Sequence, residues 1–297
     1  MSSTEDRLRS AFADAARTVR PETLRPLTVA APDRPRRTRW IVPLAAAVSA
    51  GVLVAGVATL RDQGAGRRNA TGPAYPPATS VPPGDLSAAN SARVRAARRG
   101  VLRITATASA CGRKTVGTGF VYAPERVMTN AQIVAGSRGP VEVSAPSDAR
   151  RYQATVVLYD PRRDIAVLAV PGLRAPALTF NPAGASRSAA VILGYPSYSA
   201  LVANPARIRA RRIAVGPDIY RSPSPVRREI FSIRANVPGG RSGAPLLATD
   251  GTVYGIVFAA ALDADETAYA LTAKEITPDA QAGRTADQAV PTQGCSS

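Results

Sequence analysis

Gly240-Arg241-Ser242-Gly243-Ala244-Pro245 sets one hydroxyl two residues after one glycine and directly before another, on what reads as a tight turn joining two strand-like runs. Such a serine can attack a carbonyl carbon. Glycine allows unusual backbone dihedrals, so the N–H groups of Gly240 and Ser242 can converge and hold a developing oxyanion. Taken alone, Gly-Ser-Gly is also ordinary turn composition. A serine hydroxyl needs, in addition, a base that titrates near the working pH. The chain has no histidine, and its two lysines, Lys114 and Lys274, lie outside the segments that carry chemistry. No metal-ligand spacing, phosphate loop or cofactor motif is visible, so no metal and no cofactor are expected.

The elements that would have to position Ser242 are strands. From about residue 93, short runs rich in Val, Ile and Thr recur between turn signals. They are 101–107, 115–122, 126–130, 141–144, 152–158, 165–170, 189–193, 207–213, 229–234, 252–258 and 268–271. Eleven candidate strands with almost no helical period predict an all-β sandwich or a pair of barrels. Only the stretch after Thr272 reads as helical.

Three further segments sit upstream of the serine: Gly117-Thr118-Gly119-Phe120-Val121, then Thr129-Asn130-Ala131-Gln132, then Asp164-Ile165-Ala166-Val167-Leu168. Together with the serine turn, and in this order, they resemble the trypsin-like serine proteases. Gly194-Tyr195-Pro196, Gly216-Pro217-Asp218-Ile219-Tyr220 and the cysteine pair narrow the resemblance to the actinobacterial membrane-anchored periplasmic branch. It covers about residues 95–297. It implies two six-stranded antiparallel β-barrels with the active site between them and a C-terminal helix. Ser242 stands at the nucleophile position and Asp164 at that of the aspartate orienting the base. Gly240 and Ser242 stand at the oxyanion donors, and Asn236 at the floor of the S1 pocket. The strand 254–259 would wall the substrate cleft.

The resemblance breaks at the base. Gln132 occupies the histidine position, and glutamine does not titrate. Arg241 puts a cation where the family usually has Asp or Asn, and Ala244 adds a methyl where it has Gly. Arg241 alone also reads as one more solvated arginine.

The rest of the chain bears on location. Residues 1–39 read as a cytoplasmic segment, with a short amphipathic helix over 4–20 followed by a basic, Pro-rich stretch. Trp40 to Leu60 carries no charge, and as a helix it would span about 31 Å, the thickness of a bilayer core. A cleaved signal peptide has a shorter apolar run, so 40–60 is expected to be an uncleaved transmembrane helix, in place of that branch's multi-pass domain. Six Arg precede it over 20–39 and three follow over 61–80, which leaves the N-terminus inside and the rest outside. Residues 61–92 read as a Pro/Gly/Ala-rich tether and 93–297 as the protease-like domain.

Two cysteines, Cys111 and Cys295, suit one disulfide in an oxidising compartment, since Cys295 lies in a polar tail ill-suited to a buried thiol. The net charge is +17, and residues 93–297 hold 26 basic against 14 acidic residues. Such a surface favours an anionic surface as partner, while the absence of Arg-aromatic interleaving argues against nucleic acid. The expected function is therefore a membrane-anchored pseudoprotease that holds an extended peptide or protein in its cleft. A working endopeptidase, using a histidine supplied by its substrate, and a transmembrane signalling protein are the alternatives.

Overall fold

Each of the eleven expected strands forms. The computed structural model describes residues 82–296 apart from 146–149, 198, 238–240 and 262–265. The expected N-terminal helix, the membrane span and most of the tether lie outside the described residues. Among the described residues, no helix is long and apolar enough to cross a membrane.

The first six strands are β1 (Val101–Ala108), β2 (Arg113–Ala123), β3 (Arg126–Thr129), β4 (Val141–Ser144), β5 (Arg151–Asp160) and β6 (Ile165–Ala169). They close into a barrel in the order β1-β2-β3-β6-β5-β4. The next six are β7 (Ala189–Gly194), β8 (Val202–Gly216), β9 (Val226–Arg234), β10 (Pro245–Leu247), β11 (Val253–Ala260) and β12 (Thr267–Thr272). They close in the same relative order, β7-β8-β9-β12-β11-β10. Every pairing within the two barrels is antiparallel, and β1–β4 and β7–β10 shut the two rings.

The apolar runs are continuous because these strands are covered on both faces. In β6, Ala166 and Leu168 point into the first barrel while Ile165 and Val167 enter a second cluster. In β7, Ala190 and Ile192 fill the second barrel while Val191 and Leu193 join that same second cluster. The period-2 alternation thus divides each strand between its own barrel and a shared layer that welds the barrels together.

Among the described residues, four α-helices accompany the strands: α1 (Leu86–Ala89), α2 (Ala92–Ala97), α3 (Ala131–Val134) and α4 (Ala273–Arg284). α1 and the first residue of α2 fall within the expected tether 61–92. Asp85 caps α1 through the Ser87 N–H at 2.8 Å, Ser91 caps α2 through the Val94 N–H at 3.2 Å, and Ala88, Ala89, Val94 and Ala97 are buried. Gly84 lies so close to the backbone of Pro205 and Ala206 that a Cβ there would overlap it. α4 is the expected C-terminal helix. Thr272 caps it, accepting from the Glu275 N–H at 3.1 Å.

Cys111 and Cys295 are bonded, with their Cα atoms 6.5 Å apart. The tail has further anchors. The Val290 N–H donates to Val156 O, the Gly136 N–H to Thr292 O, and the Thr292 hydroxyl to Ser137 O. The Tyr220 hydroxyl also donates toward the carbonyls of Thr292 and Gly294.

Candidate active site

The chain turns from β3 into α3 at Asn130, and from the 161–164 turn into β6 at Asp164. These two turns meet. Asp164 has φ 63°, a left-handed conformation that Asp tolerates better than most residues, and the Asn130 side-chain amide secures it by donating to the Asp164 carbonyl at 2.8 Å. Held this way, the Asp164 carboxylate is only 3% exposed.

Gln132 satisfies that carboxylate twice. Its backbone N–H donates to Oδ1 at 2.9 Å and its side-chain Nε2 to Oδ2 at 2.7 Å. Nε2 also donates to the Phe258 carbonyl at 3.1 Å. That carbonyl is free for the contact because β11 shifts register between Val257 and Ala259, which takes Phe258 out of the ladder with β12. The glutamine amide therefore spans both barrels. Its two N–H bonds go to an anion and a carbonyl, and it offers no group that takes up a proton near neutral pH.

Burial pushes the Asp164 carboxyl up to about 7, while the Gln132 hydrogen bonds and the nearby Arg228 guanidinium act the other way. A folded pKa above the ordinary carboxylate value means that this group's stabilisation is complete below the unfolded value. It is lost as pH rises through about 7. Stability should therefore rise as pH falls from 8 toward 5, and Asp164→Asn should flatten that slope. The comparison isolates Asp164 from Asp279, which burial also raises, to about 6. Urea unfolding at a series of pH values checks it, and an unchanged slope in Asp164→Asn would contradict it.

Ser242 is half-buried at the junction of the barrels. Its carbonyl accepts from the Thr118 N–H at 2.9 Å. Thr118 is pinned on its other sides as well. Its carbonyl accepts from the Thr129 hydroxyl at 2.7 Å, and its own hydroxyl accepts from the Tyr195 N–H at 2.9 Å. Gly117 fits between the two functional segments, since a Cβ there would stand 2.5 Å from Ile133 Cδ1 and 3.2 Å from Ser242 O. These contacts bring the serine turn, the Gly117–Val121 segment and the Gln132 segment together.

Gly240 lies outside the described residues, so the expected donor pair is placed only at Ser242. Asn236 is exposed. Its carbonyl accepts from the Asn204 amide at 3.0 Å, and it lines a small cleft with Gly84, Pro205 and Glu266. Arg241 corrects the reading of a solvated side chain. It is 3% exposed, and its Nε and Nη1 have no hydrogen-bond partner among the described residues. Its Cγ would lie 3.2 Å from a Cβ on Gly194. Burial without a counter-charge pulls its pKa down. Ala244 is wholly buried and its N–H donates to Arg241 O at 3.0 Å.

A cleft of about 450 Å³ opens beside Gln132 and Asp164, walled by Phe258 and Ala259, the 217–221 turn, Arg228 and Ser296 of the tail. Sequence reading missed Thr118, Thr129, Asn130 and Arg228 as supporting residues. For the first three the signal was present as polar side chains inside otherwise apolar motif segments.

The trypsin-like peptidase domain family matches residues 117–256. The chain is 44% identical over 201 residues to the serine protease Rv3671c of Mycobacterium tuberculosis, covering 67% of this chain and 50% of that one. It thus spans about half the length of the curated relatives it matches. Against the crystal structure of the active form of the M. tuberculosis Rv3671c protease, the TM-score is 0.71 at 43% identity. That match covers 75% of this chain and 97% of that one. The HtrA-type protease AlgW, solved with a decapeptide, shares the fold at TM-score 0.56 and 20% identity, covering 67% of each chain. Identity of this order across nearly the whole of a solved protease domain, on the same barrels and motif segments, makes this chain a member of the trypsin-like serine protease family.

Proposed function

We propose that this domain holds an extended peptide or protein segment in the cleft between its barrels without cutting it, outside a membrane to which residues 40–60 anchor it. The Gln132 clamp carries this reading. Ser242 and Asp164 occupy the nucleophile and orienting positions, Gly240 and Ser242 the oxyanion donors, and Asn236 the S1 floor. At the position of the base stands an amide whose N–H donors are committed to Asp164 and Phe258. In an unrelated serine protease, loss of the histidine costs about 10⁶ in turnover. Peptide binding in such a cleft depends on backbone pairing and side-chain pockets and needs no base.

The test is incubation with extended peptides followed by mass spectrometry and a parallel binding measurement. Peptides should be recovered intact, and Ser242→Ala should bind as the unaltered protein does. Cleavage abolished by Ser242→Ala would favour the endopeptidase reading instead.

A further inference from the structure

We propose that the cleft beside Gln132 selects peptides carrying an acidic side chain, and that Arg221 is the residue that selects them. The inference rests on the peptide-binding reading above and gives it a substrate class.

Among the described residues, the charged groups that line the cleft are Asp164, Asp218, Arg221 and Arg228. Three of the four are already engaged. Asp164 accepts both Gln132 bonds. Asp218 Oδ1 accepts from the Tyr220 and Ser222 N–H groups, each at 2.9 Å. Arg228 is half-buried and donates to the carbonyls of Arg162 and Pro217, each at 2.7 Å. Arg221 is exposed, and its guanidinium makes no hydrogen bond or ion pair among the described residues. Asp164 is thus bonded from within the protein at both oxygens and Asp218 at one, and among the described residues Arg221 is the cleft cation that is left uncommitted.

Arg221 is also presented by a fixed turn. Its φ is 55°, its N–H donates to the Asp218 carbonyl at 3.1 Å, and the Asp218 carboxylate pins the residues on either side of it. Tyr220 ties the same turn to the tail through the Thr292 and Gly294 carbonyls. A pre-set guanidinium loses less freedom on pairing with a carboxylate. Ile219 and Phe258 give the methylenes of a Glu side chain an apolar wall. The domain's excess of 26 basic over 14 acidic residues attracts the same ligands at long range.

The experiment uses the full chain in detergent and two matched fluorescent peptide sets in an otherwise uncharged background. One set moves a single Glu through the peptide and the other moves a single Gln. At one position the Glu peptide should bind about threefold to tenfold more tightly than its Gln partner at low salt, with the ratio shrinking as salt rises. Arg221→Gln should abolish the ratio, and Arg221→Glu should turn the preference toward a Lys peptide. Equal binding of Glu and Gln at every position overturns the acidic selection and leaves the binding reading standing. A preference that survives Arg221→Gln overturns the assignment to Arg221. If no peptide of either set binds, the peptide-binding reading fails, and the selection built on it is overturned too. If the peptides are cut, binding without cutting fails, and the same Glu-to-Gln ratio is then read in kcat/KM.

Discussion

Gln132→His alone should recover only a small part of the turnover that a complete triad supplies. Half of the required geometry is waiting. Asp164 Oδ2 already accepts from the side chain at position 132 at 2.7 Å, so an imidazole there gains the partner that fixes its tautomer. The serine turn is the obstacle. Arg241 precedes Ser242 as a buried guanidinium with two unpartnered nitrogens, and an imidazole taking up the serine proton becomes a second cation in this site. Ala244, wholly buried, would stand 3.1 Å from a Cβ on Gly194, so the methyl fills the space behind the turn. Catalytic donors must be placed to within about 0.5 Å, which a turn built around a misfit arginine does not ensure. Adding Arg241→Asn and Ala244→Gly should raise kcat/KM by more than the separate changes predict, as expected of residues that act as one unit. Arg241→Asn should also raise stability on its own, because an unpaired buried charge costs several kcal/mol. Full trypsin-like turnover from Gln132→His alone would show that Arg241 and Ala244 do no harm.

Gly243→Ala should be the most destabilising single methyl in the site. Gly243 has φ 84°, and a Cβ there would overlap the Thr118 carbonyl oxygen and stand 2.7 Å from the Thr129 hydroxyl. The obstruction is backbone, so it cannot swing aside. To admit the methyl, the turn must retreat from Thr118. That sacrifices the Thr118–Ser242 hydrogen bond and the Gly243 N–H bond to Val257 O, both 2.9 Å. A strained conformation combined with broken buried hydrogen bonds places the loss at about 4 kcal/mol or more. Gly139→Ala, where nothing lies within 4 Å of the added methyl, serves as the control and should change little. Urea unfolding of the pair checks this, and a loss below about 1 kcal/mol for Gly243→Ala would mean the turn yields freely.

The strands were legible because burial on both faces, as in 165–169 and 189–194, leaves unbroken aliphatic runs between turn residues. Pro245–Leu247 was not, since three residues carry no period. α1 and α2 were hidden by composition. Their buried side chains are mostly alanines, whose pattern is indistinguishable from that of an Ala-rich tether until β8 is seen against α1. At the site, Ser242, Asp164 and Gln132 were proposed from the resemblance to the family, carried by the order of the four motif segments. The inward course of Arg241 was invisible, because nothing in its neighbours along the chain distinguishes a buried arginine from a solvated one. The register shift that turns the Phe258 carbonyl toward Gln132 is likewise a property of the β11–β12 pairing, which no local sequence states.

A fluorophosphonate probe tests the proposed lack of a base at Ser242 directly, because it reports activation of the hydroxyl without depending on any peptide. At neutral pH, labelling of Ser242 located by peptide mapping should not rise above that of Ser242→Ala. Labelling of Ser242 at the rate of an ordinary trypsin-like enzyme would show that the hydroxyl is activated without a histidine and would contradict the account.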